Sequence, residues 1–367
     1  MDLGAAEAPA RPPILRRGDR LAALDLGTNN CRLLIAEWGE EGLVVVDSFS
    51  RIVRLGEGLS KTNRLSETAM ARTLAALKVC SRIIARHHVV TARCVATEAC
   101  RRAENGLDFI RRVGRVTGLD LQILPQDEEA RLAMLGCLPL VDPDADHLFV
   151  VDIGGGSTEI MWLDRLEPSG PGEPGKAISL PLGVVTLSEG FGGELDMSIY
   201  ADMVRFVRRQ LLACGGDRGL PALMPGPGVQ MLGTSGTVTT LAAVHLGLRR
   251  YDRRKVDGLS LPFTAIQTVS AQLRALDNAE RAAHPCIGNG RADLVVAGCA
   301  ILDAVHELWP VEHLRVADRG VREGILASLS GSTLREICLL YTSALLRARS
   351  PRPVPGKARP WPAPRRS

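Results

Sequence analysis

Two carboxylates bracket a run of glycine and hydroxyl groups in Asp152-Ile-Gly-Gly-Gly-Ser-Thr-Glu159. Three consecutive glycines, Gly154, Gly155 and Gly156, are unfavourable to order, so backbone that turns tightly or approaches a ligand is their usual reason. Their N–H groups can converge on an anion. Ser157 and Thr158 add hydroxyl donors, and Asp152 and Glu159 offer carboxylates to a metal or a water. A simple glycine hairpin needs neither the two acids nor the polar run, so a phosphate site is the better expectation. A shorter version, Asp25-Leu-Gly-Thr28-Asn29-Asn30, stands near the N-terminus. Glu128 and Glu129 follow Pro125-Gln-Asp. Acids at a helix start are favoured by the helix dipole, but a carboxylate beside a phosphate can also deprotonate an attacking water. Arg101 and Arg102 in ATEACRRAENG either decorate a solvated helix face or clamp phosphate through the guanidinium fork. Arg51 and Arg54 precede the flexible turn of RLGEGL. His87, His88, His245 and His284 lie outside all of these stretches.

The elements that must position these groups are legible as apolar runs. Leu21–Leu24 and Leu148–Val151 read as buried strands, each ending in its aspartate. Cys31–Trp38 and Val44–Phe49 extend the first sheet, and Val89–Ala96 and Leu119–Leu124 add further strands. Leu65, Ala69, Leu74, Leu77 and Ile84 have helical spacing, with Ser66 as the expected N-cap. Ala130–Leu138 reads as a helix that crosses to the second half. Strand, Asp-x-Gly, polar turn, strand occurs twice, about 125 residues apart, which implies two domains on one plan with a polyphosphate between facing turns. The fingerprints GxGxxG and GxxxxGK[ST], which lead into helices, are absent.

Length and charge set bounds. A chain of 367 residues exceeds a single core of about 250–300. The net charge of +4 is carried by the ends: residues 331–367 sum to +7 and residues 1–20 to +1, leaving 21–330 at −4. That mildly acidic body gives no case for specific nucleic-acid binding. No apolar run approaches the roughly 20 residues of a membrane span, nor does the N-terminus read as a secretory leader. The nine cysteines show no zinc spacing, and reduced cytoplasmic thiols are expected. Residues 1–19 and the Pro/Arg-rich stretch 331–367 read as extended and solvated. Glu167–Lys176 reads as a loose surface loop. The run RRYDRRK (249–255) reads as a solvated loop or, alternatively, as an electrostatic guide for a polyanion.

The motifs DLGTN, RLGEG, ATEACR, EEARL and DIGGGSTE, followed by SLPLGVVTLSE, LGTSGTVTTLA, KVDGLSL, RADLVVAG and VADRGVREG, resemble the exopolyphosphatase and guanosine pentaphosphate phosphohydrolase (Ppx/GppA) family over about residues 20–330. The resemblance implies an α/β protein of two ribonuclease-H-like domains of the actin/Hsp70/sugar-kinase superfold. Domain I is expected at 20–135, completed by 318–330, and domain II at 136–317. Glu129 resembles the family's general base, with Glu128 as the fallback and Glu159 as the second essential carboxylate. Asn29, Thr28, Arg101 and Gly154–Thr158 resemble the terminal-phosphate cradle. Arg54 and the Gly233–Thr237 loop are weaker candidates for the rest of the substrate. Mg²⁺ is expected near Asp152, Glu159 and Asp25, with Mn²⁺ as a substitute. The implied activity is release of orthophosphate from inorganic polyphosphate or guanosine pentaphosphate by a cytoplasmic enzyme, and the resemblance is compatible with a homodimer. The rival readings are an ATP-dependent kinase or ATPase of the same superfold and a non-catalytic polyphosphate- or alarmone-binding protein. The basic, Pro-rich stretch after Leu329 resembles the short two-domain members rather than the longer exopolyphosphatases with extra helical domains, so shorter chains or guanosine pentaphosphate are expected at least as much as very long polyphosphate.

Overall fold

The computed structural model describes residues 14–331 apart from 41, 143, 165–176, 193–196 and 216–227. The expectations for residues 1–13 and 332–367 and for the 167–176 loop therefore fall outside the described residues.

The first sheet contains β1 (Arg20–Leu26), β2 (Asn30–Gly39), β3 (Gly42–Ile52), β4 (Thr91–Ala96) and β5 (Leu121–Ile123), in the order β3-β2-β1-β4-β5. Helices α1 (Leu59–Thr62), α2 (Glu67–Arg86), α3 (Glu98–Arg102) and α4 (Gly106–Thr117) accompany it. The second contains β6 (His147–Ile153), β7 (Thr158–Asp164), β8 (Ala177–Leu180), β9 (Val229–Thr234), β10 (Ser260–Pro262) and β11 (His313–Ala317), in the order β10-β11-β9-β6-β7-β8. With it come α6 (Val184–Phe191), α7 (Met197–Gly215), α8 (Ser235–His245), α9 (Arg253–Val256), α10 (Phe263–Ala275), α11 (Asn278–Ala283) and α12 (Val295–Leu308). Helix α5 (Gln126–Cys137) leads from the first half to the second, and α13 (Val321–Leu329) returns.

Both sheets follow one plan. β1 pairs antiparallel with β2 and parallel with β4; β6 pairs antiparallel with β7 and parallel with β9. The repeated sequence thus becomes a repeated register. Asp25 lies opposite Arg32, and Asp152 lies opposite Glu159. Each hairpin turn closes with the same bond: Gly27 N–H donates to Asn30 O and Gly154 N–H to Ser157 O, both at 2.9 Å. Local signals elsewhere behave as their chemistry dictates. The Ser66 hydroxyl accepts from Ala69 N–H at the start of α2, whose buried side is Ala69, Met70, Leu74 and Leu77.

The two halves share a core. Leu21, Ala23 and Leu34 of the first sheet and Leu148, Val150, Met161 and Leu232 of the second pack on Leu132, Met134 and Leu135 of α5 and Ile325 and Leu326 of α13. Each such leucine, taken fully out of water, stabilises the fold by about 1.5–3 kcal/mol. Two glycines let the helices cross backbone to backbone: a Cβ on Gly324 would collide with the Leu132 carbonyl, and one on Gly136 with the Gly320 carbonyl. On another face the halves meet through polar contacts. Arg54 pairs with Asp293 at 2.9 Å, while Glu189 accepts from Gly58 N–H at 2.8 Å and from the Ser60 hydroxyl.

Candidate active site

A cavity of about 90 Å³ lies where the two hairpin turns face each other. It is lined by Asp25 and Gly27–Asn30 from the first turn, by Asp152, Gly154–Ser157 and Glu159 from the second, and by Thr97, Glu129, Thr234 and Ser235. Residues 318–323 close it from the helix crossing, and Arg32 adds a cation from β2.

The glycines of the second turn are explained by proximity. None of Gly154, Gly155 and Gly156 has a positive φ. A Cβ on Gly156 would lie 2.6 Å from Thr28 Oγ1, and one on Gly155 would lie 3.1 Å from Thr28 Cβ. Side chains there would hold the two turns apart. In the first turn Asn29 is buried, and its side-chain oxygen, like that of Asn30, has no hydrogen-bond partner among the described residues. A buried acceptor in that state is unfavourable unless a ligand or water completes it.

Three adjacent acids at the start of α5 meet three fates. Asp127 is exposed, and Glu128 pairs with Arg93 at 2.6 Å, away from the cavity lining. Glu129 turns inward, is buried, and accepts from Arg101 Nη1 at 3.0 Å. Arg101 stands behind Glu129 rather than among the lining residues. It also donates to Glu98 Oε2 (2.7 and 3.2 Å) and to the Leu124 carbonyl (2.6 Å). Glu159 accepts from the Ser179 hydroxyl at 2.9 Å. Thr158 is buried, donates to the Leu182 carbonyl at 2.7 Å and lies outside the lining, as does Arg54, whose guanidinium is committed to Asp293.

Burial without full compensation shifts the acids. Burial raises the Glu129 carboxyl to about 7; Arg101 opposes the rise, and Asp25 and Asp152 add to it. Burial also takes Asp152 up to about 6, opposed by Arg32 and reinforced by Asp25. Asp25 is raised by burial against the pull of Arg32 and Arg322. Glu159 is pushed well up by burial and then by Glu129 and Asp152. For Glu323 burial acts upward, but Arg322 and Arg253 outweigh it and hold the carboxyl low.

The lining holds six carboxylates against three guanidinium groups, Arg32, Arg319 and Arg322. Among the described residues no three acidic, histidine or cysteine side chains converge to hold an ion by themselves. The donor set still fits Mg²⁺, which takes one or two carboxylates and completes its shell with water and substrate phosphates. Asp25, Asp152 and Glu159 are the carboxylates such an ion would neutralise.

Three lining residues, Arg32, Arg322 and Glu323, and Glu98 behind them carry no role in the sequence pattern. Arg32 is a lone charge in the apolar stretch CRLLIA, and only its register opposite Asp25 reveals it. Arg322 and Glu323 sit in VADRGVREG, a motif that contributes to the resemblance without a role for its charges. Glu98 anchors Arg101 from within ATEACR. In the Gly233–Thr237 loop, Thr234 and Ser235 face the cavity, while Gly236 and Thr237 line a smaller adjoining hollow with Arg291.

The duplicated sheets, the crossing helices and the opposed glycine turns define a two-domain protein of the actin-like ATPase fold. The chain belongs to the Ppx/GppA phosphatase family, whose model matches residues 34–333. It is 31% identical over 330 residues to Exopolyphosphatase 2 of Mycobacterium tuberculosis, covering 85% of this chain and 99% of that one. Among solved structures, an exopolyphosphatase from Cytophaga hutchinsonii superposes with a TM-score of 0.77 at 25% identity, covering 86% of this chain and 99% of that one. The Ppx/GppA family member of Aquifex aeolicus gives a TM-score of 0.68 at 29% identity, over 90% and 99% of the respective chains.

Proposed function

We propose that this protein hydrolyses terminal phosphoanhydrides, releasing orthophosphate from inorganic polyphosphate, with guanosine pentaphosphate as a second candidate substrate. The observation that carries the reading is Glu129: a buried carboxylate, titrating near neutrality, at a cavity walled by two glycine turns. The exopolyphosphatase relatives support the same substrate class.

Phosphoryl transfer asks mostly for positioning and charge stabilisation. Glu129 accepts a proton from a water held against it by the Glu159 side. The water oxygen bonds to the terminal phosphorus as the bridging P–O bond breaks. The electron pair leaves with the shortened chain, and orthophosphate carries the new oxygen. With the Gly27 and Gly154 N–H groups spent on closing the turns, the N–H groups of Thr28, Asn29, Gly155 and Gly156 are the ones offered to phosphoryl oxygens, joined by Arg32 and Arg322. Arg101 keeps Glu129 oriented and limits the rise in its pKa. A Mg²⁺ ion near Asp152, Asp25 and Glu159 supplies charge neutralisation to phosphate oxygens when bound.

The test is orthophosphate release from polyphosphate, guanosine pentaphosphate and ATP with Mg²⁺, by wild type and Glu129→Gln. Release from the first two, lost in the variant, supports the proposal. Faster cleavage of ATP than of either shifts the assignment to an ATPase or kinase, and binding without any hydrolysis shifts it to a phosphate-sensing protein.

A further inference from the structure

We infer that Arg253 is a positioning residue for the substrate: it holds the Glu323 carboxylate so that the neighbouring Arg322 guanidinium stays free to meet phosphate oxygens. This rests on the phosphohydrolase reading above. Residues 318–323 form one wall of the cavity and carry four charges, Asp318, Arg319, Arg322 and Glu323. The segment 251–257 of the second half stands directly behind that wall and answers its charges one by one. Tyr251 donates its hydroxyl to Asp318 Oδ2 at 2.7 Å. Asp257 accepts from Arg319 Nε at 2.8 Å and from Asp318 N–H at 3.1 Å. Arg253 donates to Glu323 Oε1 at 2.7 Å and to the Asp318 carbonyl at 2.6 Å. Arg322 is the exception: it makes no hydrogen bond among the described residues, and its contact with Glu323 is a loose ion pair at 3.9 Å.

One oxygen atom decides the balance. Glu323 Oε1 lies 2.7 Å from Arg253 and 3.9 Å from Arg322. The Glu323 and Arg322 side chains are only 15% and 11% exposed, so neither charge is satisfied by bulk water. If Arg253 is removed, a largely buried carboxylate loses its closest charged partner and keeps the Gly320 N–H, which donates to Oε2 at 3.0 Å, an unfavourable state for a buried charge. The nearest remedy is the Arg322 guanidinium. Closing that pair cancels a positive charge facing the substrate. Arg254 cannot substitute, because its side chain is 92% exposed and turned to Asp252. Arg253 itself is drawn inward, so it is not one of the solvated guides that the run RRYDRRK offered on sequence alone.

The experiment compares wild type, Arg253→Met and the double variant Arg253→Met/Glu323→Gln, using inorganic tripolyphosphate as substrate. The expected result is a KM raised roughly tenfold in the single variant, with kcat changed far less, and a KM restored towards wild type in the double variant. A purely structural role for Arg253 leaves the double variant no better than the single one, and that outcome overturns the inference, as does an unchanged KM in Arg253→Met. If the single variant does not fold, the double variant decides: wild-type KM supports the inference and a raised KM overturns it. If wild type hydrolyses neither tripolyphosphate nor guanosine pentaphosphate, the functional reading fails by itself. The same three proteins are then compared by the Kd of tripolyphosphate in calorimetry, where the same ordering supports the inference and equal affinities overturn it.

Discussion

Glu128 and Glu129 are chemically alike and adjacent, yet the fold gives them different partners. Glu128 is neutralised by Arg93 outside the cavity lining, while Glu129 sits within it on Arg101. Glu129→Gln is expected to lower kcat by about 10²–10⁴-fold, the usual worth of a positioned general base. Glu128→Gln is expected to change kcat less than about threefold and to act mainly on thermal stability. Steady-state orthophosphate release from both variants checks the pair. The pH profile follows from the same geometry. A base must be deprotonated to work, so kcat/KM is expected to rise with pH through about 7, where Glu129 titrates. Arg101 is the attraction that opposes the rise in that carboxyl, so Arg101→Met moves the ascending limb to higher pH. A limb that stays in place in Arg101→Met argues that another group governs the rate.

At the scale of elements, the decisive contact is the crossing of α5 and α13. Gly136 and Gly324 bring Leu132 and Gly320 backbone within van der Waals reach, and this sets the distance between Glu129 on one helix and Arg322 on the other. Gly324→Ala places a methyl group against backbone that has nowhere to go. It is expected to destabilise the protein by about 1–3 kcal/mol and to lower kcat beyond the loss of folded protein, measured by thermal unfolding beside activity. Much of this level was readable in the sequence. The helical spacing and Ser66 cap appear as α2, and both Asp-x-Gly turns appear as hairpins of one design. The backbone crossing was not, because a glycine inside a helix looks the same whether it faces solvent or another backbone.

The whole molecule is two sheets held by a shared core on one face and by polar contacts on another. Arg54–Asp293 and the grip of Glu189 on Gly58 and Ser60 draw the halves together there mainly through polar contacts, with Ile52 packed on Gly290. Asp293→Asn with Glu189→Gln is therefore expected to open the cleft, seen as a larger radius of gyration in small-angle scattering of the substrate-free protein. Unchanged scattering means the core alone fixes the relative position of the halves. The buried carboxylates add a linkage effect. Asp152 titrates near 3.8 when unfolded and about 6 when folded, and Glu129 near 4.5 and about 7. Between those values the folded state binds more protons, so these groups make stability fall as pH rises from about 4 to 7. The unfolding midpoint in chelator is expected to drop by several degrees across that window, and excess Mg²⁺ at pH 8 is expected to recover much of the loss. A midpoint insensitive to Mg²⁺ argues against an ion at these acids.

What the sequence alone determined is what depends on residue type and short spacing. That comprises the strand-turn-strand repeat, the tight glycine turn of DIGGGSTE, the mildly acidic body between basic ends, and the family these motifs share. The tertiary structure decided which charges are spent on one another. Arg54 is consumed by Asp293, Arg101 by Glu98 and Glu129, and Arg253 by Glu323, while Arg32 and Arg322 reach the cavity. The physical reason is that these pairings join residues as far apart in the chain as Arg54 and Asp293. Their energies depend on burial and on distances of a few ångströms, quantities that the order of residues does not contain.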